Sequence, residues 1–344
     1  MTYRRLGRSG VEVSRLCLGT MTFGQTTEEA EAARILDSAR EAGVNFIDTA
    51  DIYARGESER ILGRLLKQDR EDWVLASKVA NRMGPGPNRK GLSPKHMQRA
   101  LNESLERLQT DYLDILYLHI DDGSPLEAVV ETLGRFLADG RILAWGVSNF
   151  RAWTVAEMVH LSARLGIAAP VVSQPYYNAM NRMPEVEQLP ACAYYGLAVV
   201  PYSPLARGIL TGKYLPGAEP EAESRVGRKD TRMMQTEFRE ESLEIAQTIK
   251  VHAEAQGMTA GQFALLWVLN NRLVTSVLAG PRTLAQWQDY LDALEKPFTA
   301  ADEALIDGLV TTGHPSTPGY NDPAYPITGR QPWSVDADSQ PKGR

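Results

Sequence analysis

Along the chain, short apolar runs alternate with longer segments whose apolar residues recur at helical spacing. The runs at 14–19 (SRLCLG), 44–48 (VNFID), 73–79 (WVLASKV), 112–119 (YLDILYLH), 142–148 (ILAWGVS), 170–174 (PVVSQ), 197–203 (LAVVPYS) and 275–280 (TSVLAG) predict strands. Between them, Ala32, Ile35, Leu36 and Ala39 share one face of a helix predicted over 27–41, with Thr27 as its N-cap and Gly43 as its stop. A further helix is predicted over 58–66. Met97, Leu101, Leu105 and Leu108 mark another, and Leu126, Val129, Val130, Leu133 and Leu137 the one after it.

Many of the predicted strands are apolar at nearly every position, as strands buried on both faces are. Eight such strands alternating with helices predict an α/β fold, a closed parallel (β/α)8 TIM barrel formed as a single domain over 1–310. An open doubly wound sheet is the alternative, but no GxGxxG follows the first run. The segment 205–239 interrupts the alternation and is too polar for core, so it is expected to be a binding loop. The C-terminal tail, 311–344, is rich in Pro, Gly and Asn beyond Gly313. It is expected either to pack over the active-site mouth or to be partly disordered.

Composition changes this picture little. The 344 residues are 43% hydrophobic and 23% charged, enough for a sizeable core. A formal net charge of −6 argues against a nucleic-acid partner while leaving room for local phosphate-binding cations. No apolar run approaches the length of a membrane span, and the basic N-terminus has no signal-peptide core, so a cytoplasmic location is expected. The two cysteines, Cys17 and Cys192, fit no disulfide scaffold or metal spacing. His96, His119, His160, His252 and His314 form no HExxH-type pair, which counts against a metal-dependent hydrolase.

The chemistry stands at the ends of the runs. Asp48, Lys78 and His119 each close one, and Tyr53 lies just beyond the first. In a parallel barrel, catalytic residues occupy the C-terminal ends of strands. Charges are costly in buried strands unless paired, so Asp48 and Lys78 are expected to meet. A free tyrosine has a pKa of about 10, and a nearby ammonium favours its phenolate. Asp48 would hold Lys78 charged, His119 would hydrogen-bond a carbonyl oxygen, and Tyr53 would protonate it. No side chain donates hydride, so a nicotinamide or flavin is required.

These residues sit in motifs that carry a resemblance. RLGRSGVEVSRLCLGTMTFG, NFIDTADIYARGESE, SKV, YLDILYLH, WGVSNF, SQPYYN and PYSPLARGILTGKY follow one another in the order and spacing of the aldo-keto reductases, from Tyr3 to about Leu294. The chain resembles the bacterial branch of that family that also includes the potassium-channel β-subunits. The resemblance implies a barrel that binds NADPH/NADP+ in extended form, with Asp48, Tyr53, Lys78 and His119 as a catalytic tetrad and Tyr53 as general acid. It implies that Ser148, Asn149 and Gln174 hold the nicotinamide carboxamide and that Tyr202 stacks on the ring. Ser203, Leu205 and Gly208 match the pyrophosphate loop, near the cations Arg207 and Lys213. Gly280, Arg282 and Gln286 match the adenosine-phosphate region, with Arg282 as the 2′-phosphate ligand. Asp289 and Tyr290 stand where the family often has Glu-Asn, which leaves NADH possible.

The implied activity is the NADPH-dependent reduction of an aldehyde or ketone, or the reverse oxidation, on a small carbonyl or sugar-like substrate. A regulatory protein that senses NADP(H) is the alternative. Phe23, Ile52, Trp73, Arg82, Ile120, Asp121, Asp122 and the loop before Arg239 are placed to approach the substrate, with Tyr320, Tyr325 and Trp333 of the tail closing over it; for Asp121 and Asp122 a solvated loop is the favoured reading over contact with a hydroxyl-bearing substrate. Monomer and homo-oligomer are equally compatible with these features.

Overall fold

A computed structural model describes residues 1–222 and 224–327. Its sheet is built from β3 (Leu16–Gly19), β4 (Phe46–Asp48), β5 (Val74–Val79), β6 (Leu113–Leu118), β7 (Ile142–Ser148), β8 (Val172–Gln174), β9 (Ala198–Val199) and β10 (Val277–Ala279). Every neighbouring pair is parallel, in the order β10-β3-β4-β5-β6-β7-β8-β9. The ends of that order meet: Thr275 N–H donates to Val199 O (2.8 Å) and Leu278 N–H to Pro201 O (3.0 Å). The sheet therefore closes into the expected (β/α)8 barrel and leaves no edge strand.

The helices that follow the strands are α1 (Glu29–Glu41), α2 (Glu57–Leu65), α3 (Pro94–Leu108), α4 (Leu126–Ala138), α5 (Ala152–Leu165), α6 (Gln188–Tyr195), α7 (Thr231–Thr236), α8 (Glu240–Ala255), α9 (Ala260–Asn270), α10 (Leu284–Ala293) and α11 (Ala300–Leu309). Ala32, Ile35, Leu36 and Ala39 form the buried face of α1, as their spacing predicts. The residue before α1 is Glu28 and makes no side-chain cap; the Thr27 hydroxyl instead donates to Arg282 O (2.9 Å) and ties this loop to the start of α10. Ser93 caps α3, with Pro94 in its first turn, and Thr259 forms a capping box on α9.

Side-chain alternation along the strands divides the core into two compartments. Outward residues such as Leu16, Leu18, Ile47, Leu75 and Leu116 pack beneath the helices. Inward residues such as Cys17, Phe46, Val74, Ala76, Ile115, Tyr117, Val172, Ala198, Val200 and Leu278 fill the barrel. The first apolar run breaks into two elements. An antiparallel hairpin, β1 (Tyr3–Arg5) with β2 (Glu12–Ser14), precedes β3 and sends Leu6 and Val13 into the interior cluster. Gly7 lies in this plug with φ +55, and a Cβ there would stand 2.3 Å from Val171 O, so the close approach admits only glycine.

The tail is stitched to the barrel by arginines. Arg182 donates to Val310 O (2.8 Å) and Thr312 Oγ1 (3.0 Å), and Arg239 to Thr317 Oγ1 (2.7 Å). Arg232 takes both oxygens of Asp322 (2.6 and 3.0 Å), and Arg151 holds Tyr325 O (2.9 Å). No helix among the described residues is long and apolar enough to cross a membrane.

Candidate active site

The inward phase of each strand fixes what reaches the open end of the barrel. Counting by twos from Cys17, Phe46, Ala76, Tyr117, Val172, Val200 and Leu278 gives Gly19, Asp48, Lys78, His119, Gln174, Tyr202 and Gly280. Gly146 packs against Val172 and Tyr117, so Ser148 shares that phase. Tyr53 arrives differently, on a turn after β4 in which its N–H donates to Ala50 O (3.1 Å).

These residues meet in one cavity of about 610 Å³. Asp48, Tyr53 and His119 line it, and Lys78, fully buried, lies behind them. Ser148, Asn149, Gln174, Tyr202, Ser203, Leu205, Gly208, Lys213, Gly280, Arg282 and Gln286 line the same cavity.

The Lys78 ammonium has three N–H groups and three acceptors: Asp48 Oδ1, Thr49 O (2.8 Å) and Tyr53 Oη (3.1 Å). Asp48 Oδ2 accepts from Gln174 Nε2 (2.8 Å). Burial pushes the Asp48 carboxyl up, against the pull of Lys78. Burial disfavours the Lys78 ammonium, but Asp48 and Tyr53 outweigh it and hold Lys78 above its ordinary value. The phenol departs from the expectation of a lowered pKa. Burial raises Tyr53 above the ordinary tyrosine range, and Lys78 only offsets part of that rise. Tyr53 therefore keeps its proton near neutrality. Its oxygen accepts from Lys78, which leaves its O–H free to donate into the cavity.

Burial and Lys78 together depress the His119 imidazole well below its usual range, so the ring is neutral. Asn81 Nδ2 lies 2.8 Å from His119 Nδ1. The His119 ring stands edge-on to Tyr53 at 6.0 Å between centroids. Asn149 Nδ2 donates to His119 O (2.9 Å) and Ser148 Oγ (3.1 Å), and Tyr202 Oη donates to Asn149 Oδ1 (2.8 Å). Ser148, Asn149, Gln174 and Tyr202 thus join the proton-handling cluster through a hydrogen-bond network.

The cavity lining is rich in cations. Arg207, Lys213, Arg225, Arg232 and Arg282 all belong to it. Arg232 is matched by Asp322. Arg225 is half-buried without an ion-pair partner among the described residues. Its own burial lowers its basicity, Asp230 raises it, and Arg207 and Arg282 lower it further. Arg282 N–H is taken by Gln286 Oε1 (2.8 Å), so the guanidinium is what this residue offers the cavity. Thr283 caps α10 beside it. The loop 203–208 carries positive φ at Ser203, Ala206, Arg207 and Gly208 and is closed on itself, Ala206 N–H donating to Ser203 O (2.9 Å) and Gly208 N–H to Leu205 O (2.8 Å). Asp289 is engaged by Gln262 Nε2 (2.9 Å), and Tyr290 lines the cavity.

Several residues considered for the substrate side lie elsewhere. Trp73 precedes β5, so it stands at the closed end, its N–H bonded to Asp69 Oδ2 (3.0 Å). Phe23 faces the outer core. Arg82 folds onto its own loop at Gly86 O (2.8 Å). Asp121 and Asp122 organise backbone, accepting from Gly123 N–H (3.0 Å) and Leu92 N–H (2.9 Å). Ile120 and Tyr325 do line the cavity, whereas Tyr320 lies under Arg239. Trp333 lies outside the described residues. Sequence reasoning missed Asn81 and Arg225; the second lies in the loop expected to bind ligand, and the first gave no signal at all.

A buried Asp48–Lys78–Tyr53 cluster with His119 at the open end of a closed parallel barrel is the placement in which enzymes of this fold carry their chemistry. More narrowly, the chain belongs to the aldo/keto reductase family, whose family model matches residues 15–311. It is 37% identical over 302 residues to a probable voltage-gated potassium channel subunit beta of Arabidopsis thaliana, covering 86% of this chain and 92% of that protein. A putative voltage-gated potassium channel subunit beta of Schizosaccharomyces pombe is 36% identical over 304 residues, 85% of this chain and 88% of the relative. An uncharacterized oxidoreductase of Bacillus subtilis is 36% identical over 307 residues, 86% and 91% respectively.

Proposed function

We propose that the protein is an NADPH-dependent oxidoreductase that reduces an aldehyde or ketone to an alcohol, or runs the reverse reaction, with Tyr53 as general acid or base. The observation that carries this reading is the Lys78 ammonium, saturated by Asp48, Thr49 O and Tyr53 Oη, which leaves a protonated phenol aimed into a cavity shared with His119.

The residues present fit the dinucleotide. Ser148, Asn149 and Gln174 supply hydroxyl and amide groups for its carboxamide, and Tyr202 an aromatic face. The loop from Ser203 through Leu205 to Gly208, with Lys213, suits a pyrophosphate. Gly280, Arg282 and Gln286 lie at the N-terminus of α10, where an anion is favoured, and Arg225, which has no ion-pair partner among the described residues, adds a second cation for a 2′-phosphate. When bound, the cofactor supplies the hydride.

The chain supplies the proton and the orientation. Tyr53 donates its O–H to the carbonyl oxygen as that oxygen gains electron density. Lys78 stabilises the phenolate that remains, and Asp48 holds Lys78 charged. His119 donates a second hydrogen bond to the same oxygen. In the reverse direction the phenolate removes the alcohol proton. We read 1–310 as the barrel and the described part of the tail, 311–327, as a wall of the substrate mouth, on the strength of Tyr325 in the cavity lining.

A panel of aldehydes, ketones and sugars, followed by NADPH absorbance with purified protein, tests the proposal. Consumption with at least one carbonyl class is expected. Tight NADPH binding without consumption across the panel would favour the second reading, a cofactor-sensing protein, for which the similarity to channel subunits is the supporting observation.

A further inference from the structure

Asn81 should not face the barrel interior. Along β5 the inward positions are Val74, Ala76 and Lys78, so the next inward position is Ala80, and Asn81 belongs to the outward set. The backbone overrides that phase. Ala80, buried and not a glycine, has φ +125, a conformation that L side chains rarely adopt. Gly91 N–H donates to Ala80 O (2.7 Å) and Met83 N–H to Arg89 O (2.9 Å), which fastens the turn. The result is an Asn81 side chain in the cavity lining with its amide nitrogen 2.8 Å from His119 Nδ1.

His119 is held at its backbone as well. Its N–H donates to Val79 O (2.9 Å), and its carbonyl accepts from Asn149 (2.9 Å). With the backbone anchored, the hydrogen bond at Nδ1 bears on which ring nitrogen carries the single proton. An amide N–H offered to Nδ1 makes Nδ1 the acceptor and leaves the proton on Nε2.

We propose that Asn81 is a positioning residue for the reaction: its side-chain amide locks His119 as the Nε2–H tautomer, so that the imidazole donates to the substrate carbonyl oxygen rather than accepting from it. The inference rests on the reading of His119 as a carbonyl donor. The groups that can perturb the ring electrostatically are Lys78, which disfavours its cationic form, and Tyr53, edge-on at 6.0 Å. The neutral state of the ring agrees with the proposed tautomer.

The test is nitrogen NMR of the full chain with isotope-labelled histidine, the His119 signals being assigned by their loss in His119→Gln. In the parent, without cofactor or substrate, Nε2 is expected to be protonated and Nδ1 unprotonated across the neutral range. Asn81→Leu should yield a tautomer mixture and a roughly tenfold lower kcat, the size of one lost hydrogen bond, with little change in KM for the cofactor. Asn81→Asp should draw a proton to Nδ1 and raise the basicity of the ring. Asn81→Ser serves if Asn81→Leu does not fold, and the parent spectrum needs no variant. A parent His119 protonated on Nδ1, or a tautomer unmoved by Asn81→Leu, overturns the proposal. A protein without turnover on any carbonyl refutes the function instead, and the parent tautomer still reports on Asn81.

Discussion

Replacing Tyr53 with phenylalanine isolates the proton from everything else the residue does. The ring remains, and with it the contact that sets Lys78 Nζ 4.7 Å from the ring centroid. What is lost is the acceptor 3.1 Å from Nζ and the O–H aimed into the cavity. Lys78 keeps Asp48 and Thr49 O, so one buried N–H loses its partner, a cost of roughly 1–3 kcal/mol that a barrel of this size tolerates. The residues assigned to the cofactor are untouched, so NADPH affinity should stay close to that of the parent. The rate should fall by roughly 10²–10⁴-fold, the contribution of a positioned general acid. At about 1.4 kcal/mol per decade, that raises the barrel's reaction barrier by about 3–5.5 kcal/mol. Cofactor fluorescence titration and steady-state NADPH consumption with the best carbonyl of the panel measure the two quantities separately. Near-normal turnover in the folded, cofactor-binding variant would refute the assignment of the proton to Tyr53.

Other perturbations follow from the same geometry. Lys78→Met removes the ammonium that offsets the burial of Tyr53, so the limb of alcohol oxidation that needs phenolate should move to higher pH; an unchanged pH–rate profile would show that Lys78 does not tune the phenol. The same variant leaves Asp48 buried without its cation and should lose roughly 3–5 kcal/mol of stability in denaturant titration. Arg282→Ala should weaken NADPH by roughly 10–100-fold while leaving NADH nearly unchanged, because a charge-assisted bond to phosphate is lost; equal losses would mean that Arg282 does not read the 2′-phosphate. Glu237, buried with Arg239 lowering and Asp322 raising its pKa, is pushed by that burial up to about 8. The folded state then holds a proton that the unfolded state releases from about pH 4.5, so stability falls by about 1.4 kcal/mol per pH unit between those values. Glu237→Gln should flatten that slope in thermal scans from pH 5 to 8, and parallel curves for parent and variant would contradict it.

How much of this could be read in advance depended on distance along the chain. The barrel was legible because each strand and helix announces itself locally, by apolar runs and by apolar spacing such as Ala32, Ile35, Leu36 and Ala39 in α1. The inward residues of the site were legible for the same reason. Asp48, Lys78 and His119 end apolar runs, and period-two alternation commits their direction once the neighbouring inward residue is known. The N-terminal hairpin was not legible, because its run is short and continuous with β3, and only Leu6 and Val13 entering the barrel reveal it as a plug.

The sequence by itself determined a closed alternating barrel, the residue types at the open ends of its strands, and the family to which they belong. Tertiary structure decided what those residues do to one another. It gave Lys78 three acceptors from the β4 strand end and the turn after it, and so set its charge. It let burial overcome Lys78 at Tyr53, reversing the direction expected from the pair alone. It sent Trp73 and Phe23 away from the pocket and, through one strained residue at Ala80, brought Asn81 into it. The physical reason is common to all of these. Periodicity is a property of a few adjacent residues, whereas desolvation, hydrogen-bond partnership and strain depend on groups that only the closed barrel brings within reach.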